Sequence, residues 1–209
     1  VQVSNAPIFR QPGWESQKRT YDVPPKGNAK NPELSRESAS ARARAAVRDI
    51  ALCNKFAYFF TFTLSPEKID RYDQVEVYRV LKNFLKNTSY RKGFSYVLVP
   101  ELHKDGAIHC HGLCNLGEVK IEPAFDPKTG RMLFTERGQQ IYNMCDWKVG
   151  FSTCIQIDSG YEKACSYLVK YITKDSEKIF GKWYLSSRNL VKRPQIDIIS
   201  GCMDYDQVK

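Results

Sequence analysis

Residues 94–115 read FSYVLVPELHKDGAIHCHGLCN. Phe94 to Leu102 is rich in β-branched and aromatic residues, which predicts a strand. His103 to Gly106 follows, and its Asp105-Gly106 pair is the signal of a tight hairpin turn. Ala107 to Asn115 then predicts the returning strand. A connection this short leaves antiparallel pairing as the only choice. The sheet built around this hairpin is therefore expected to be antiparallel.

Before the hairpin, Phe56 to Ser65 (FAYFFTFTLS) is almost continuously apolar and predicts a central, buried strand. Asp73 to about Lys86 carries apolar residues at helical spacing (Val77, Leu81, Phe84, Leu85) and predicts a helix packed on the sheet, with a turn at Tyr90 to Gly93. Residues 117–149 read as an inserted loop or small hairpin, turning at Asp126 to Gly130. Further strands are expected at about Ser152 to Ile157 and, shorter, at Lys182 to Ser187. Arg188 to Pro194 reads as basic and irregular. Nearer the N-terminus, Ser35 to about Asn54 predicts a basic helix with Ser35 and Ser38 as candidate N-caps. Residues 1–34 are punctuated by Pro7, Pro12, Pro24, Pro25 and Pro32 and read as an irregular arm. The expected fold class is α+β: one antiparallel sheet of about five strands flanked by helices, in a single domain over residues 35–209.

The 209 residues carry a formal net charge of +9. A basic balance of that size points to a polyanionic partner, nucleic acid before membrane surface. No apolar run approaches the ~20 residues of a membrane span, and Val1 to Arg10 lacks the apolar core of a secretion signal. The seven cysteines are odd in number and form no CxxC pair. Reduced thiols and a cytoplasmic location are the expectation.

Chemistry concentrates in two places. Ser159 to Asp175 (SGYEKACSYLVKYITKD) predicts a helix opened by a capping box, Ser159 with Glu162. At ~100° per residue, Tyr161, Cys165, Leu168 and Ile172 form one apolar stripe. Lys163, Tyr167, Lys170, Tyr171 and Lys174 fall opposite, two tyrosines one turn apart among lysines. The second place holds two of the three histidines. His109 and His111 lie two apart on one strand, so both imidazoles share a face. With Glu101 on the partner strand they make a His₂-carboxylate set suited to Mn²⁺ or Mg²⁺ assisting phosphoryl chemistry. A zinc site recruiting Cys114 competes for the same histidines. A tyrosine can attack a phosphodiester and remain covalently attached, and Lys170 and Lys174 would favour its phenolate. Arg42, Arg44, Lys163, Lys192 and Arg193 are candidate DNA contacts.

These segments resemble a known family. HCH at 109–111 looks like the HUH motif (His, hydrophobic, His) of HUH-superfamily endonucleases. YLVKYITK at 167–174 is similar to the two-tyrosine motif of rolling-circle replication initiators of the microvirus phage type. FTFTL at 60–64 resembles their first motif, with Phe62 where Leu is frequent. The motifs stand in the family's order, over about residues 50–195. The resemblance implies a Rep-type palm related to RRM and ferredoxin-like folds. It implies His109, His111 and Glu101 as ligands of a divalent metal, Tyr171 with Lys174 as the first nucleophile, and Tyr167 as the second. It further implies nicking of single-stranded origin DNA of a phage or plasmid replicon, a 5′-phosphotyrosine intermediate, a free 3′-OH, and dependence on a host helicase and polymerase.

Within the enzyme class the rivals are an HUH relaxase and an HUH transposase. A relaxase usually has its tyrosines near the N-terminus and a third histidine in the cluster, and a transposase typically has one tyrosine on this helix. Outside that class stand a structural zinc protein and a non-catalytic, RRM-like nucleic-acid-binding module, in which Phe60, Phe62 and Tyr96 would stack bases.

Overall fold

The computed structural model describes residue 25 and residues 28–172 and 178–194. Most of the expected N-terminal arm, and Lys174, lie outside the described residues. Helix α1 (Pro32–Asn54) opens three residues before the expected start. Asn31 is its N-cap, with Oδ1 accepting from the Leu34 amide at 3.1 Å, and Pro32 occupies the first turn where a missing N–H costs nothing. Strand β1 (Tyr58–Leu64) follows, then α2 (Gln74–Lys92). Helix α2 continues through the turn expected at Tyr90. It ends at Gly93, whose φ of 68° supplies the left-handed cap, and Arg91 and Lys92 in the last turn suit the helix dipole.

The hairpin forms as expected. Strands β2 (Ser95–Leu102) and β3 (Ile108–Asn115) pair antiparallel, with Glu101 opposite His109 and Val99 opposite His111. In the turn, the Gly106 amide donates to the His103 carbonyl at 2.8 Å, and Gly106 has a φ of 85°. The insert adds β4 (Ile121–Pro123) and β5 (Tyr142–Met144). Strand β6 (Gly150–Gln156), α3 (Tyr161–Lys170) and β7 (Leu185–Ser186) complete the described elements.

The result is an α+β fold with one antiparallel sheet in the order β4-β5-β6-β1-β3-β2-β7. It has seven strands rather than about five, because the insert is itself a hairpin added at the edge. At the expected turn in the insert, the Asp126 side chain accepts from the amides of Lys128 and Thr129.

The two faces of the sheet bury different cores. Phe60, Phe62 and Leu64 of β1, with Ile108, Cys110 and Cys114 of β3, pack under Val77, Leu81 and Leu85 of α2. Gly112 is required there: a Cβ would lie 2.5 Å from the Phe60 ring and 2.7 Å from the Val97 carbonyl oxygen. On the other face, Val97, Val99 and Leu113 meet Val47 and Ile50 of α1 and Cys165, Leu168 and Ile172 from α3. The apolar stripe expected for the last helix is the one that packs.

Candidate active site

Strand alternation decides which side chains can meet. On β3, His109 and His111 face the α1/α3 side, while Cys110 and Cys114 are buried on the α2 side. A zinc site joining Cys114 to the histidines is therefore excluded by the sheet itself. Phe60, Phe62 and Tyr96 are also buried beneath α2, so the bases expected to stack on them cannot reach them.

On the α1/α3 side the register brings Thr61 of β1 opposite His111 and Thr63 opposite His109. Thr61 Oγ1 lies 3.1 Å from His111 Nδ1, and Glu101 Oε2 lies 3.0 Å from His111 Nε2. A neutral imidazole satisfies both bonds if the threonine hydroxyl donates to Nδ1 and Nε2–H donates to the carboxylate. The electrostatics agree with neutrality. Burial, with His109 nearby, pushes the His111 pKa down to about 4. Burial also lowers His109, aided by His103. Glu101 is raised by burial against the pull of His103.

Helix α3 brings the tyrosines to this spot. It does not form the expected capping box: the N-cap is Gly160, with a φ of 69° and no side-chain cap. The helix also stops at Lys170, and its end tightens as the Tyr171 amide bonds the Leu168 carbonyl and the Ile172 amide bonds the Val169 carbonyl. Tyr171 thus stands at the end of the helix and lies flat on His111, ring centroids 3.9 Å apart and planes 5° apart. Tyr167, 49% exposed, meets Tyr171 edge-on at 5.3 Å and leans on Phe59 at 5.4 Å. Tyr171's phenol is not favoured as phenolate by its surroundings. Burial raises its pKa first, its hydrogen bond to Tyr167 adds to this, and the Glu101 charge repels an anion there. That corrects the expectation that adjacent lysines would govern it, since Lys170 is exposed to solvent and burial dominates.

The donor set suits a divalent cation in type: two neutral imidazoles on one face, with a carboxylate on the neighbouring strand. Among the described residues, however, no group of three or more His, Cys, Asp or Glu side chains is closed into a ligand arrangement. Glu101 is bonded to His111, and the His109 ring rests on His103 with centroids 4.9 Å apart.

Of the basic residues, Arg42 and Lys163 are exposed on α1 and α3. Arg44 has a definite partner: its Nη1 donates to the Ile172 carbonyl at 3.1 Å, capping the turn that carries Tyr171. Lys192 and Arg193 are exposed beside the end of α1, where Asn54 exchanges two hydrogen bonds with the Val191 backbone. A cleft of about 350 Å³ between α2 and residues 146–149 opens on the opposite side of the sheet and holds no part of this constellation.

Residues 57–176, more than half of the 209, match the model of a known family. The chain belongs to the replication-associated protein ORF2 family. The matched stretch runs from the start of β1 past the end of α3 and includes Glu101, His109, His111, Tyr167 and Tyr171. No curated protein and no solved structure matches the chain. Helix α1, with Arg42 and Arg44, lies outside the stretch shared with the ORF2 family. No helix among the described residues is long and apolar enough to cross a membrane.

Three participants escaped the sequence reading. Thr61 and Phe59 touch the histidine and tyrosine rings, and the signal was there: with alternation fixed, they are the β1 residues on the His111 face. Tyr161 sits on the buried stripe, and its hydroxyl donates to the Ala51 carbonyl and accepts from the Phe56 amide at 2.9 Å. A phenol on an apolar stripe has to find such partners.

Proposed function

We propose that this chain is a rolling-circle replication initiator of the HUH two-tyrosine type, nicking and rejoining single-stranded origin DNA of a phage or plasmid replicon. The observation that carries the reading is the Tyr171 ring stacked on His111 at 3.9 Å with Tyr167 at its edge, all on one sheet face. In the proposed reaction Tyr171 Oη attacks the scissile phosphorus. The bond from phosphorus to Oη forms and the bond to the 3′-oxygen breaks. The phenol gives up its proton and the departing 3′-oxygen gains one, leaving a 5′-phosphotyrosine and a free 3′-OH.

His109, His111 and Glu101 would hold Mn²⁺ or Mg²⁺, which when bound supplies Lewis-acid polarisation of phosphate oxygens. Thr61 holds His111 in orientation through Nδ1. Arg44 holds the turn that follows Tyr171. Tyr167, more exposed and one turn away, serves the second transesterification, which closes the displaced strand. Lys170 and Lys174 assist by neutralising phosphate charge. Arg42, Lys163, Lys192 and Arg193 contact the DNA backbone. A host helicase and polymerase act on the nicked product, in the cytoplasm.

The test is a cleavage assay on labelled single-stranded oligonucleotides tiling the source replicon, with Mn²⁺ or EDTA. Wild type, Tyr167→Phe, Tyr171→Phe and the double variant are compared on denaturing gels. A metal-dependent covalent band is expected, absent in the double variant. DNA binding with no covalent band across the whole replicon would overturn the enzyme reading in favour of a binding module.

A further inference from the structure

The rows of the sheet extend past the tyrosine site. Glu101, His109, Thr63 and Phe151 lie side by side on β2, β3, β1 and β6, in direct register. Phe151 shares the histidine face, because its neighbour Ser152 and then Cys154 are buried on the other side. It is nevertheless 52% exposed. Its placement is built in by Gly150, where a Cβ would lie 2.0 Å from the Thr63 carbonyl oxygen, so only glycine lets β6 press against β1 at this point. Strand β5 pairs with β6 only at Cys154, which leaves the Phe151 end of β6 without that neighbour.

We propose that Phe151 is a base-stacking platform for single-stranded DNA, with the hydroxyls of Thr63 and Thr153 lining the path to the histidines. The inference rests on the nuclease reading of His109 and Tyr171. Two strand spacings put Phe151 about 10 Å from His109. That is roughly one to three nucleotides from the scissile phosphate for a strand rising at least ~3.4 Å per residue. An exposed ring at the end of a neutral row on a basic protein suits a base, whose π-face stacks regardless of sequence. It also replaces the aromatics that sequence alone put forward, which are buried under α2.

The experiment uses the full chain and a fluorescent oligodeoxythymidylate of about 15 nucleotides, within the site size of sheet-based single-strand binders. Anisotropy titrations compare wild type, Phe151→Ala, Phe151→Trp and, as an exposed aromatic on the insert, Phe134→Ala. Phe151→Ala should weaken binding about tenfold with an unchanged salt slope, since stacking releases no counterions. Phe151→Trp should retain affinity and add an indole signal quenched by the oligonucleotide. Phe134→Ala should leave affinity unchanged. Equal affinity of Phe151→Ala and wild type, or equal losses from Phe151→Ala and Phe134→Ala, would overturn the platform. If the wild type nicks DNA but Phe151→Ala binds normally, the platform alone fails. If Phe151→Ala weakens binding but no covalent band ever forms, the platform stands and the nuclease fails.

Discussion

The two faces of one sheet have been put to opposite uses. The central strands contribute to both, residue by residue: Phe60, Phe62 and Leu64 of β1 point one way, and Phe59, Thr61 and Thr63 the other. Under the 19-residue helix α2 lies a dry aromatic core, with Phe62 stacked on Trp147 at 4.2 Å and meeting Phe84 edge-on at 5.3 Å. On the opposite face α1 and the 10-residue α3 seal only part of the surface. The rest shows histidines, threonines, tyrosines and one exposed phenylalanine. A stabilising core closed on one side thus lets polar, half-buried groups be held in place on the other.

Stability should follow the same contrast. Phe62→Ala should be the most damaging, about 3–5 kcal/mol by denaturant unfolding, because it opens a cavity among Phe60, Phe84 and Trp147. A loss under about 1 kcal/mol would mean that this face is not the main source of stability. Tyr161→Phe should cost about 1–3 kcal/mol, since it strips partners from the Ala51 carbonyl and the Phe56 amide where α1 meets α3. An unaltered unfolding midpoint would show those groups finding water instead.

The smallest effect is a pH dependence in metal-free protein. His111 has its pKa depressed to about 4 in the folded state, against about 6.5 unfolded. Its neutral form therefore contributes stability above the unfolded value, and that contribution is lost as pH falls toward about 4. Glu101 is raised by burial and works in the opposite direction, so the difference between wild type and His111→Gln is the quantity to read. The variant should show a flatter fall in unfolding midpoint as pH is lowered. Parallel curves would place the titration elsewhere.

Much of this contrast was legible in the sequence. Period-2 alternation put His109 and His111 on one face, and Asp105-Gly106 fixed the hairpin that brings Glu101 opposite His109. The helical stripe of Cys165, Leu168 and Ile172 gave the buried side of α3. What failed did so for local and tertiary reasons. Gly160 displaced the capping box by one residue, and Gly93 rather than Tyr90 ended α2. Two further strands came from an insert whose pairing no short pattern announces. Which aromatics are reachable depended on where α2 lies, and Arg44 looked like a DNA contact until the Ile172 carbonyl was found beside it.

The central claim is that the open face is a tyrosine nuclease site, and peptide mass spectrometry of the trapped protein–DNA adduct tests it most directly. After nuclease digestion, a residual nucleotide phosphate should map to Tyr171, and to Tyr167 when Tyr171→Phe is used. An adduct on any residue outside this pair, or none under conditions where the DNA is cut, would contradict the account.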